Sequence, residues 1–329
     1  MPVTPTKVPG IGTIPEFYLP NTLATPLEGS HRMSRQMATC ALAMAVATMC
    51  AVAHGQETSH YPAGAEGIKA ASIPGPGQYL KWYNFSYEAN DLKDNRGNNV
   101  PGGFDVDVFA TAPRLIWMTE TKFFGADYGW DILVPLIDVD LQVAAAGIDA
   151  HDTGIGDMYI EPLLLGWHGD RYDLVAAAGV WTPNGSTDGP AAAGKGFWTG
   201  MFTAGGTTWL DDCKLWSVSG LARYETNSKK RQADVRPGDD FHIEWGVARN
   251  FDGVLDLGVS GYCHWQVTED SGSAAVNRSQ KDRFFSVGPE VNYVHEKSGL
   301  FYQLRYQFEF EARNRSEGRN LVFSIVKAI

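Results

Sequence analysis

The segment Leu300–Ala312 restricts the fold more than any other feature of this chain. Tyr302, Leu304, Tyr306, Phe308 and Phe310 alternate there with Gln303, Arg305, Gln307, Glu309 and Glu311. A period of two puts one set on each face of a β-strand. The pattern recurs in Leu133, Ile137, Val139, Leu141 and Val143 against Asp138, Asp140 and Gln142. It returns once more in Leu255, Leu257, Val259, Trp265 and Val267 against Asp256, Ser260, Tyr262, His264 and Gln266. Strands of soluble sandwiches run to about five or six residues, and these are roughly twice that. Long strands with one apolar face predict a transmembrane β-barrel.

From Gly75 onward such segments alternate with turn-rich stretches. Strands are predicted near 78–89, 104–118, 129–145, 153–167, 171–183, 196–210, 213–226, 239–250, 253–269, 281–294, 299–312 and 318–329. That makes an all-β, antiparallel barrel of about twelve strands, with both termini periplasmic. Loop lengths carry an independent signal. Long polar connections (Asn90–Gly103, Asn184–Lys195, Asn227–Gly238, Asp270–Gln280) follow odd strands. Tight ones (His168–Asp170, Asp211–Asp212, Phe251–Gly253, Glu296–Ser298) follow even strands. Barrels of the bacterial outer membrane have long external loops and short periplasmic turns, so the two periodicities agree in phase. The short connection near Gly147–Asp152 and the long one at 119–128 break the rule.

Mean hydropathy is −0.22, and the only long apolar run, Met37–Ala53, lies near the N-terminus. A polytopic helical protein would need several runs of about 20 residues. The net charge of −11 argues against nucleic acid as a partner. Met33-Ser-Arg-Gln, the run that follows and Ala51-Val-Ala53 read as a cleavable signal peptide over 33–55. Residues 1–32 then read as an over-extended start. Residues 56–77 would form a periplasmic arm or partial plug, and 78–329 the barrel. The outer membrane is the expected location, with its lipid and the barrel-assembly machinery as partners.

Three stretches carry a family resemblance. They are Gly154-Ile-Gly-Asp157 running on to Pro162 and Trp167, Gly67–Lys69 with Pro74–Tyr79, and Gly102–Asp107. In them the chain resembles the bacterial meta-pathway phenol-degradation proteins, outer-membrane barrel channels often encoded near genes of aromatic catabolism. The resemblance covers most of 65–329 and implies uptake of small hydrophobic, aromatic solutes. One departure is the C-terminus, Val326-Lys-Ala-Ile329, where such barrels commonly end in an aromatic residue.

If the apolar parity faces lipid throughout, the lumen is lined by carboxylates. Those residues would be Asp105, Asp107, Asp138, Asp140, Asp157, Glu161, Glu244, Asp256, Glu290, Glu309 and Glu311, relieved by Arg223, Arg305, His242 and His264. Such a lining repels anions and passes neutral or cationic solutes. Twelve strands lie between filled eight-stranded barrels and open porins, so a narrow or plugged pore is expected. Two alternatives stand beside the channel. One is a structural barrel whose inward charges form a closed salt-bridge network. The other is an outer-membrane lipid or ester hydrolase, although Ser260 and His264 lie about 13 Å apart along one strand, beyond bonding reach. No cofactor is expected. The pair His242 and Glu244 makes a weak metal site, and Cys213 and Cys263 are expected to be free thiols.

Overall fold

The computed structural model describes residues 59–329. The predicted signal peptide and N-terminal extension lie outside them. Fourteen strands are present: β1 (Gly77–Leu92), β2 (Phe104–Phe123), β3 (Ala126–Leu133), β4 (Leu136–Val143), β5 (Ile148–Ile155), β6 (Met158–His168), β7 (Tyr172–Thr182), β8 (Thr199–Trp209), β9 (Trp216–Asn227), β10 (Asp240–Phe251), β11 (Leu255–Gln266), β12 (Arg283–His295), β13 (Leu300–Arg313) and β14 (Ser316–Ala328). All pairings are antiparallel. β1 pairs with both β2 and β14, and this closes the sheet into a ring.

The ring has twelve staves, because β3 and β4 lie end to end along β2 and pair with β6 and β5 respectively. The expected third and fourth strands are therefore continuous runs broken once each. Pro135 breaks the first, since it has no N–H to give the ladder. Gly156 breaks the second, and its N–H donates to the Pro135 carbonyl at 2.9 Å across the gap. The two irregular connections resolve locally. β2 runs on to Phe123, so the turn is only Phe124-Gly125, both at positive φ, as a tight hairpin requires. At the other end β5 begins at Ile148, directly after a 3₁₀ turn over Ala144–Ala146.

The burial pattern is that of a membrane barrel. On β13, Gln303, Arg305 and Gln307 are buried, while Leu304, Phe308 and Phe310 are exposed on the outer wall. A soluble protein would reverse this; hydrocarbon on the outside permits it. Both chain termini of the barrel lie at one end, with the short turns. The long connections 93–103, 183–198, 228–239 and 267–282 gather at the other, the loop end. β14 closes the ring on β1 in unbroken register from Tyr79↔Ala328 to Glu88↔Arg319.

Both described cysteines are free: Cys213 exposed in the β8–β9 turn, Cys263 half-buried on the outer face of β11. Of these two, a water-soluble maleimide should therefore label only Cys213 in the folded barrel in lipid, and Cys263 only after unfolding, as read by peptide mapping. Labelling of Cys263 in the folded protein would contradict its lipid placement.

Candidate functional site

The interior is occupied by the chain itself. Residues 59–76 run from the loop end, where Ser59 meets Glu225, toward the terminal end, where Lys69 meets Asp256. The wall holds this arm by its backbone as well as by its side chains. The N–H of Tyr61 donates to Glu225 at 3.1 Å, those of Glu66 and Gly67 to Glu244 at 2.9 and 3.2 Å, and that of Ile68 to Glu290 at 2.8 Å. The Tyr61 hydroxyl also donates to Glu244. Arg305 donates to the Gly64 carbonyl at 2.8 Å. Gly67 stands at φ +71, where a Cβ would collide with the Glu290 carboxylate, so this position needs glycine on two counts.

Glu66 is the arm's electrostatic anchor. Its carboxylate accepts from Lys81 Nζ at 2.7 Å, the Tyr83 hydroxyl at 2.9 Å and Arg114 Nη1 at 3.0 Å, with Arg223 Nη2 at 3.8 Å. Burial alone would raise this carboxyl, but the three cations outweigh it and hold the group far below the usual carboxylate range. The sign follows. A depressed carboxyl stabilises the fold above the unfolded value of 4.5 and loses that contribution only as pH falls through the folded value. The arm therefore stays anchored at neutral and mildly acidic pH.

Beside the arm an apolar space of about 300 Å³ remains. Its wall is largely Ala110, Ala112, Ile116, Leu164, Val175, Ala177, Trp181, Met201 and Leu221; Ala65, Ala70, Ile73 and Pro74 of the arm close its other side, and charged groups including Lys81, Arg114, Glu161 and Arg223 border it. Ligand pockets typically begin at this size, and an apolar cavity of about half of it stays dry and binds benzene. The interior is thus divided. β1–β8, with Leu221 of β9, present mostly small or apolar groups, and β9–β13 present a packed polar network.

Ten of the expected lumen residues face inward, and all are engaged. Asp157 accepts from the backbone of Gly185 and Lys195 at 2.8 Å each and bonds His60 at 2.9 Å. Burial pushes the His60 imidazole below its ordinary range. Glu161 meets Arg114 at 3.0 Å, and Arg223 meets Glu244 at 2.9 Å. Asp256 bonds Lys69, and Glu290 lies 3.5 Å from Arg305. Glu309 accepts from Tyr87 and Tyr262 at 2.9 Å each. His242 and His264 meet each other at 3.1 Å.

The other five are corrections. Asp107 pairs across the sheet with Asp140, and Phe109, itself exposed, with Asp138. Val108, Ala110 and Ile137, one position out of phase, line the inner space. Asp105, Asp107, Asp138 and Asp140 therefore lie on the outer face near the loop end. Glu311, at φ +54, is turned outward toward Arg283 by a bulge. The inward carboxylates bind cations and amides of the chain rather than lining an aqueous path. Asp138→Asn with Asp140→Asn should accordingly leave single-channel conductance and cation/anion selectivity unchanged in planar bilayers. A clear fall in cation selectivity would return these residues to the conduction path. Glu66, Lys81, Arg114 and the counter-ion Asp131 were not anticipated. The first lies in a segment without periodicity, and Lys81 lies on a strand for which no parity is predicted. Arg114 lies on the face of β2 opposite Asp105 and Asp107, and Asp131 shares the parity of Leu133, the one expected to face lipid.

A serine–histidine contact does exist: Ser59 Oγ lies 3.1 Å from His242 Nε2. The same nitrogen faces Glu225 at 3.0 Å, so it carries a proton and offers Ser59 no general base.

A closed antiparallel barrel with buried polar side chains inside, apolar side chains exposed outside and its own N-terminal arm in the lumen defines an outer-membrane β-barrel. Within that class the chain belongs to the family described as "Putative MetA-pathway of phenol degradation", whose profile matches residues 89–325. The fold is similar to that of the COG4313 outer membrane channel from Pseudomonas putida F1, at 14% identity and a TM-score of 0.71, over 82% of this chain and 100% of that one. The P. putida toluene transporter TodX aligns at 9% identity and a TM-score of 0.42, over 78% and 91% of the two chains. No curated protein matches the sequence.

Proposed function

We propose that this protein passes small hydrophobic solutes of monoaromatic size across the outer membrane, with the cavity beside the arm as their binding station. The observation that carries this reading is the cavity: about 300 Å³, walled mainly by alanine and aliphatic side chains, beside the arm in the lumen. Membership of a phenol-degradation family agrees with it. The long loops then face outward and the termini inward, after removal of the signal peptide. A filled lumen also favours a second reading, a structural barrel that passes nothing. Uptake separates the two. Cells lacking the protein should take up a labelled monoaromatic at limiting concentration several-fold more slowly than complemented cells. Uptake of a sugar of similar mass should not change. Equal rates for the aromatic would leave the structural reading.

A further inference from the structure

At the loop end three buried side chains converge away from the solute cavity. Asp240 begins β10, His264 lies near the end of β11 and Asp282 immediately precedes β12, so neighbouring staves bring them to one point. His264 Nε2 is 2.9 Å from Asp282 Oδ1 and 3.5 Å from Asp240 Oδ1. Their ligand atoms all lie within 4.8 Å of one another, and no residue of the three is more than 2% exposed. Zinc bonds of about 2.0–2.2 Å set tetrahedral ligand atoms about 3.3–3.6 Å apart, so small shifts of the two carboxylates would admit the ion.

The hydrogen bonds around the cluster point the same way. Two carboxylates, which only accept, converge on a single imidazole nitrogen. Arg315, 3.9 Å from Asp282 Oδ2, and Asn227, 3.5 Å from Asp240 Oδ2, lie on the far sides of those carboxylates. On the other side of the ring, His264 Nδ1 faces His242 Nδ1 at 3.1 Å, and His242 Nε2 faces Glu225 at 3.0 Å. A cation on His264 Nε2 puts a proton on Nδ1, which donates to His242; His242 Nε2–H then donates to Glu225. Every ring nitrogen is satisfied with both imidazoles neutral. A metal-bound histidine whose other N–H is oriented by a partner ending on a carboxylate is the usual supporting arrangement. Asp282 also lines a second cavity of about 220 Å³ with Ser59, Tyr87, Glu309 and Arg315, which gives an ion and a water ligand access.

We infer that Asp240, His264 and Asp282 bind one divalent transition-metal ion, Zn²⁺ in preference to Ca²⁺ or Mg²⁺, with His242 and Glu225 supporting His264. One nitrogen and two oxygens suit such an ion better than the all-oxygen sites of the hard cations. The ion ties β10, β11 and the 267–282 connection together at the mouth. Through Glu225, which accepts from the Tyr61 amide, it also bears on the arm.

The test uses the tag-free full-length protein, purified in detergent, stripped with chelator, then dialysed against Zn²⁺, Mn²⁺ or Ca²⁺ and assayed by elemental analysis. The expected result is about one Zn²⁺ per chain with a raised thermal midpoint, and visible ligand-field bands when Co²⁺ replaces it. Asp282→Asn, nearly isosteric, and His264→Ala should abolish both signals while keeping the heat-modifiable migration of a folded barrel. His242→Ala should keep the stoichiometry but weaken affinity by about 10–100-fold. Less than about a tenth of an ion per wild-type chain overturns the assignment. So does equal metal content in wild type and Asp282→Asn, or Ca²⁺ retained while Zn²⁺ is not.

Discussion

Glu66→Ala should release the arm and convert a nearly closed barrel into an ohmic pore. The substitution removes the one carboxylate among the arm's described residues and leaves Lys81, Arg114 and Arg223 facing the vacated position. Breaking a buried ion pair from one side costs about 3–5 kcal/mol, because the surviving charges stay desolvated. Water replacing the arm beside these cations relieves that cost, which favours the released state. The amide bonds to Glu225, Glu244 and Glu290 resist, at a net of about 1.5–3 kcal/mol each for bonds to a charged group. The balance therefore tilts toward a population of released arms rather than complete loss. Single-channel conductance should rise several-fold in the open episodes, because a twelve-stave barrel is wider than the eight-stranded size that side chains alone can fill. The midpoint of urea unfolding in detergent should fall. Glu66→Gln keeps the shape and the Tyr83 bond but not the charge, and should lie between the two. Unchanged conductance in both variants would mean that the backbone bonds alone hold the arm.

That role for Glu66 shows which parts of the molecule the sequence could disclose. Period-two alternation reports the face of a strand wherever one face meets lipid, so β11, β13 and the ring they belong to were legible. Loop parity was legible for the same reason, since only one end of a barrel carries long connections. The arm left no such trace: apart from Glu66, much of its order comes from amide bonds to Glu225, Glu244 and Glu290, and backbone donors look alike in every sequence. Asp105, Asp107, Asp138 and Asp140 misled for a geometric reason. β2 spans twenty residues, about 66 Å of strand, against an apolar band about 25 Å tall. Near its loop end the rule that charges point inward no longer holds, because the outer face there meets water or headgroups. The half of the lumen that forms the cavity breaks the rule in the opposite direction, with small apolar residues on both faces. Ala110, Ala112 and Ala177 carry too little side chain to show which face they occupy.

Those small residues make the sharpest test of the solute station. Ala177 is buried on β7 between Leu164 of β6 and Thr203 of β8, and its methyl borders the cavity. Ala177→Trp would place an indole in a space of about 300 Å³ that a single aromatic solute would otherwise share with Trp181. Filling a pre-existing cavity avoids most of the 1–3 kcal/mol or so that overpacking a dense core costs, so the barrel should keep its stability. Solute binding should not survive. The affinity of a monoaromatic for the detergent-solubilised protein should fall at least about tenfold, or 1.4 kcal/mol, and cellular uptake should fall toward the deletion level. The neighbouring Ala176→Trp adds the same bulk on the opposite, lipid-facing parity and should change neither quantity. If Ala177→Trp folds, leaves binding unchanged and sustains uptake, the solute does not dwell in this cavity. If both alanine variants lose uptake equally, the effect lies in the packing of β7 against its neighbours and not in the space enclosed.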